Sequence, residues 1–280
     1  MQATSPICKN CGQPLTGNYC SNCGEKMHHE NDKQLIHLLD EGFHFVTHLD
    51  GSFFTTFKTF LAKPGKYAAD YCNGIRKKYF KPISFFLLLV ILYLLFPFFA
   101  GLNMKFATYN SPNYKYAWYA RPAALKKMET HHLTEKELAD GYDKKSPAFA
   151  KFSLLLLIPM SAIVLALLFY TSRRYFFDHF ILSTEIISFY IFFQFLFLPL
   201  IALLIVSISP SLVYLLSDNS WVWIISYISL AIYISIAFRN FYGQKYWLSI
   251  LKAIVFFFVF FIVMRDIYNF LLYYLVMLFI

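Results

Sequence analysis

The stretch "PISFFLLLVILYLLFPFF", beginning at Pro82, has no charged residue and is too long for an ordinary buried strand. About 20 consecutive apolar residues carry a helix across the hydrocarbon core of a bilayer. The backbone of such a segment must satisfy its own hydrogen bonds, and a helix does that alone. Four more runs of this kind follow, so the chain is constrained to an all-α membrane bundle of about five transmembrane helices. The spacing predicts spans from Ile83 to about Leu102, Phe152 to Tyr170, about Phe180 to Ile208, and Trp221 to Phe238, with a fifth beginning near Leu248. Only 15% of residues are charged and 58% are hydrophobic, whereas a soluble domain needs about a quarter charged. After Arg265 and Asp266, the apolar tail Ile267 to Ile280 is short for another span. It fits an interfacial segment, a re-entrant one, or the end of a single long helix.

The net charge of +9 is distributed as a membrane protein distributes it. Arg76, Lys77, Lys78 and Lys81 precede the first span, Arg173 and Arg174 lie between the second and third, and Arg239, Lys245 and Lys252 lie around the loop between the fourth and fifth. With five spans these groups fall on one side, which the positive-inside rule makes the cytoplasm. The loop "SPSLVYLLSDNS" has no Lys or Arg, as an outer loop should. The predicted outer segment 103–151 runs against this pattern, with Lys144, Lys145 and Lys151 close to the second span. The first residues carry no basic start followed by an apolar stretch, so no signal peptide is expected.

Before the spans, "CKNCGQPLTGNYCSNCGEK" repeats a C-x-x-C-G knuckle. Cys8, Cys11, Cys20 and Cys23 can present four thiolates to one ion, and Gly12 and Gly24 suit the turns that aim N–H groups at sulfur. Zinc takes four thiolates in closed structural sites, and metal binding supplies the folding energy such a small core lacks. Iron in a rubredoxin-like cage is the other metal for such a set. Two disulfides are the remaining alternative and require an oxidising compartment. A closed site leaves no position for substrate, so the expected role is structural. Lys9 and Lys26 are too few for a phosphate footprint, which argues against nucleic acid. The predicted division is a zinc ribbon over 1–27, amphipathic connector helices at the inner membrane surface over 28–82, and a membrane bundle over 83–280.

In the connector, His37, Asp40, Glu41, His44 and His48 fall on one face of a predicted helix. The face fits either a second metal site or the wet side of an interfacial helix. A second helix is predicted with Ser52 as its cap and Pro64-Gly65 as its end. A third runs from about Lys66 to Asn73 and stops at Gly74.

Thr55, Leu61, Pro64 and Gly65, followed by Gly74, Arg76, Tyr79 and Pro82 in a G-x-R-x-x-Y-x-x-P block, come after a paired C-x-x-C-G ribbon. Together they resemble a family of uncharacterised bacterial multi-pass membrane proteins, a domain of unknown function. The resemblance covers about the first 100 residues. It implies a bacterial inner-membrane location and transfers no catalytic residue.

Ionisable groups within lipid are costly and usually have a task. Glu185 is the foremost, with His179 and Arg265 as further candidates, Gln194 as a polar neighbour, and Arg265 and Asp266 expected on different sides of their helix. Either Glu185 serves transport or it pairs with Arg173, Arg174 or Lys252. Pro159 and Pro199 are expected to kink their spans. Outside, Thr134 and Glu137 form a capping box for a short helix, and Tyr109, Tyr114, Tyr116, Trp118 and Tyr119 suit an interface or a partner. No nucleophile elbow, phosphate loop or H-E-x-x-H motif is present. The expectation is therefore a non-enzymatic scaffold or interaction protein contacting lipid and a cytosolic protein partner. The alternative is a transporter, channel or lipid-handling protein.

Overall fold

The computed structural model describes residues 7–15, 17–25, 51–95, 103–172, 175–208 and 220–280, and within them the chain is helical with no strand. Two short helices, α1 (Gly51–Ala62) and α2 (Lys66–Cys72), precede the apolar helix α3 (Pro82–Leu95). Ser52 already lies inside α1 rather than capping it. After α3 come two more short elements, α4 (Phe106–Asn110) and α5 (Ala117–His131).

Among the described residues, four helices are long and apolar enough to cross a membrane; the apolar α3 is shorter at 14 residues, and the predicted continuation of its span lies outside the described residues. The first, α6 (Glu135–Leu168), is 34 residues long. The Thr134–Glu137 capping box is present, but it opens this long helix and not a separate short one. Pro147 and Pro159 lie inside it. The second joins α7 (Phe176–Ile191) to α8 (Leu198–Ile208) through a wide π-helical turn at Phe192–Phe197. Leu198 N–H reaches back five residues to the Phe193 carbonyl, and Pro199, which has no N–H to give, follows directly. The third is α9 (Ser220–Tyr242). The fourth runs unbroken from α10 (Tyr246–Ile262) through a second π turn at Val263–Ile267 into α11 (Tyr268–Leu278). The apolar tail is thus the end of one long helix.

At about 1.5 Å per residue, the 33-residue helices Phe176–Ile208 and Tyr246–Leu278 are about 50 Å long, against about 30 Å of hydrocarbon. At one end the α1–α2 pair lies against α7 and α9. Phe57 meets Phe192, and Phe60 meets Phe85, Phe189 and Tyr233. At the other end α4, α5, the first half of α6 and α11 enclose a tyrosine core.

The ribbon consists of two equivalent knuckles. In the first, Cys8 N–H donates to the Gln13 carbonyl and Gly12 N–H to the Cys8 carbonyl. In the second, Cys20 N–H donates to Glu25 and Gly24 N–H to Cys20. Gly12 and Gly24 take left-handed φ values of 79° and 67°, which explains a glycine after each C-x-x-C.

Candidate functional site

The knuckles bring Cys8, Cys11, Cys20 and Cys23 together, all sulfurs lying within 4.8 Å of one another. Cys8 and Cys23 are 3.6 Å apart, and Cys11 and Cys20 are 3.5 Å apart. A tetrahedron with metal–sulfur bonds of about 2.3 Å has sulfurs about 3.8 Å apart, so the set fits a single ion. The cysteines are free thiols, not disulfides. Hydrogen bonds from the Asn10 side chain and the Glu25 N–H hold the Cys23 thiol down, at about 6. The Cys23 N–H likewise lowers Cys20. Cys11 N–H pulls on Cys8, yet burial and the neighbouring thiols push it up to about 11. Crowded sulfurs resist sharing negative charge, and a cation at their centre relieves that conflict.

The ribbon is seated on the loop after α2. Buried Glu25 accepts the Lys77 N–H at 2.8 Å. The Lys9 side chain closes on Gly74, and the Lys77 side chain on Gly24. Within the loop, Tyr79 donates its hydroxyl to buried Asp70 at 2.7 Å, and Lys66 pairs with the same carboxylate. The Tyr67 hydroxyl binds the Phe80 carbonyl, and Phe80 N–H binds the Thr56 hydroxyl. The residues of the G-x-R-x-x-Y block therefore tie α1, α2 and the start of α3 into one unit.

That unit is fixed to the spans by Glu185. Its carboxylate is buried and accepts Gly65 N–H at 2.6 Å and Ala68 N–H at 2.8 Å. The Tyr233 hydroxyl lies 3.0 Å from the same carboxylate and 3.1 Å from the Phe60 carbonyl. These amides open α2, where N–H groups have no partner of their own. Glu185 thus serves α2 from a different helix. Lys252 does not take this role, and Arg173 and Arg174 lie outside the described residues. Lys252 instead donates to the Leu168 carbonyl at 2.9 Å and lies over Phe169, closing the end of α6.

Gly65 is required twice over. Its φ is +77°, and a Cβ there would lie 2.4 Å from the Ala237 carbonyl oxygen and 2.7 Å from Ala237 Cα. Asn240 completes the seat by donating to the Pro64 carbonyl at 2.8 Å. Sequence reading missed Tyr233, Ala237 and Asn240, because two of the contacts are made by backbone and only a turn glycine hints at them.

The remaining candidates are dispersed. His179 is buried, with Nδ1 2.8 Å from the Tyr242 hydroxyl. Gln194 is buried in the first π turn, and its Oε1 has no partner among the described residues. Arg265 and Asp266, expected on opposite sides, pair with each other at 3.3 Å. They lie in the second π turn, where the wider winding alters the angle between neighbours. Asp266 also binds Lys115 and the Tyr116 hydroxyl. His37, Asp40, Glu41, His44 and His48 lie outside the described residues.

Residues 50–94 match a family described as "Protein of unknown function (DUF3667)". The match covers α1 to α3, including the Pro64-Gly65 turn and the G-x-R-x-x-Y block, and stops short of the ribbon. Neither the curated proteins nor the solved structures contain a match.

Proposed function

We propose that the chain is a bacterial inner-membrane protein whose ribbon end faces the cytosol. There it acts as a non-enzymatic scaffold, presenting a zinc-bound ribbon to a protein partner. The observation that carries this reading is the seat of the ribbon. Glu25 on the Lys77 amide, and Lys9 on Gly74, hold the cage against a loop that Glu185 in turn fixes to the spans. A closed four-thiolate site has no open position for substrate. Ile7 and Tyr19 of the ribbon are 66% and 63% exposed, which leaves apolar area for a partner. The cytosolic orientation is supported by Arg76, Lys77, Lys78, Arg239 and Lys245, gathered at the ribbon end.

A partner recovered in mild detergent and lost with Cys20→Ser is the expected result, together with one zinc per chain in the purified protein. Protein holding no metal, or a Cys20→Ser variant with undiminished partner recovery, would overturn the reading.

A transporter, channel or lipid-handling role is the second reading. It is favoured by one observation, the buried and unpartnered Gln194 carbonyl in a π turn of an apolar helix. Flux in proteoliposomes that disappears with Gln194→Leu would put this reading first. Absence of flux in the wild-type protein, tested over ions and lipids, would remove it.

A further inference from the structure

The ribbon end carries cations that the scaffold reading leaves without a task. On α9 the exposed isoleucines Ile225, Ile228, Ile232 and Ile236 recur three and four residues apart, forming the face that this helix leaves uncovered. Arg239 continues the same stripe three residues further on and is itself exposed. Its guanidinium lies over the Tyr246 ring, 5.7 Å from the centroid. Tyr246 is 58% exposed and its neighbour Trp247 is 82% exposed.

The next residue, Asn240, holds the Pro64 carbonyl, which brings Lys63 and Lys66 beside the same point of α9. Both lysines are exposed. Among the described residues, no carboxylate lies within ion-pair distance of Lys63 or Arg239. The two carboxylates nearest the turn are already engaged. Asp70 is buried and binds Lys66 and Tyr79, and Glu185 is buried and binds Gly65 and Ala68. Among the described residues, Lys63 and Arg239 are therefore exposed cations with no carboxylate against them, while Lys66 is shared with Asp70.

An isoleucine stripe that ends in arginine, over tyrosine and beside tryptophan, is how a helix surface changes where acyl chains give way to headgroups. The guanidinium fork matches a phosphate with two parallel donors, while lysine supplies mobile point charge. We propose that Lys63 and Arg239, with Lys66 beside them on Asp70, form a binding site for the phosphate of an anionic phospholipid, flanked by Tyr246 and Trp247. The site rests on the membrane reading of α9 and is independent of any partner for the ribbon. A lipid bound here spans the Pro64-Gly65 turn and α9, so it reinforces the contact that Gly65 and Asn240 make.

The test uses the full chain in nanodiscs, comparing labelled phosphatidylglycerol with labelled phosphatidylcholine. Preferential retention of phosphatidylglycerol is expected. Each Lys or Arg near an anionic surface contributes about fivefold in affinity, so Lys63→Gln and Arg239→Gln should each cost about fivefold and the pair about 25-fold. The single variants are read separately, so the result does not depend on the double variant folding. Lys126→Gln with Lys136→Gln, at the other end of the bundle, should leave retention unchanged. Equal retention of the two lipids, an equal loss from the control pair, or displacement of phosphatidylglycerol by inorganic phosphate would each overturn the proposal.

Discussion

At the ribbon end, backbone amides of Gly65 and Ala68 meet a buried carboxylate on α7. At the opposite end, tyrosine hydroxyls meet carbonyls and carboxamides. Tyr273 donates to the Ala120 carbonyl, Tyr268 to Ala150, Tyr109 to Asn269, and Tyr116 to Arg265. The rings of Tyr109, Tyr142 and Tyr273 lie 4.9 to 5.9 Å apart. The first end depends on three buried carboxylates, Glu25, Asp70 and Glu185, and on one glycine. The second spreads the work over rings that bury large area and retain a polar tip. The ribbon end is thus sensitive to single changes, and the tyrosine end absorbs them.

Metal removal should separate the ends most sharply, because structural zinc supplies roughly 10–16 kcal/mol to sites of this kind. On chelation, hydrogen exchange should rise through residues 7–25 and the Gly74–Lys78 loop while Tyr268–Leu278 stays protected. Equal loss at both ends would break the comparison.

Gly65→Val comes next. It forces a β-branched residue into a left-handed φ and against the Ala237 backbone. Strain and overpacking should together cost about 3 kcal/mol or more, read as a lower melting temperature and early proteolysis near Pro64. Glu185→Leu should cost about 1–3 kcal/mol for each of the two buried amides it leaves unpaired. Glu185→Gln should recover part of the loss, since one carbonyl oxygen remains.

At the tyrosine end, Tyr116→Phe should cost only about 1 kcal/mol and leave ribbon exchange unchanged. The smallest effect is acid fraying of α6. The Thr134 N–H and hydroxyl hold the exposed Glu137 carboxyl below the ordinary glutamate range. A depressed carboxyl contributes stability above its unfolded value of about 4.3 and loses it as pH falls through the folded value. Exchange of the first α6 amides should therefore rise as pH falls through the folded value; Thr134→Ala, which keeps the N–H bond, should only weaken that dependence, and Glu137→Gln should abolish it.

These differences also explain what could be read from the sequence. Spans were legible because lipid requires long apolar runs, and the cage because its ligands sit close along the chain. Glu185 stood out as a carboxylate inside a span. Its partners did not, because Gly65 and Ala68 are 120 and 117 residues away and contribute only backbone. The tyrosines of the outer segment suit an interface by type, yet Tyr109, Tyr116 and Tyr119 are buried and only Tyr114 and Trp118 are exposed. Composition does not reveal that α11 returns to pack on them. The tail length fitted several arrangements, and packing on α6, through Tyr268 on Ala150 and Phe279 on Phe149, decides it.

We propose that the ribbon end and the tyrosine end lie on opposite sides of one bilayer, with the ribbon inside. Lys78→Cys and Lys126→Cys place exposed thiols at the two ends. An impermeant maleimide applied to intact cells should label Lys126→Cys at once and Lys78→Cys only after permeabilisation. Labelling of both variants in intact cells, or of Lys78→Cys alone, would contradict the account.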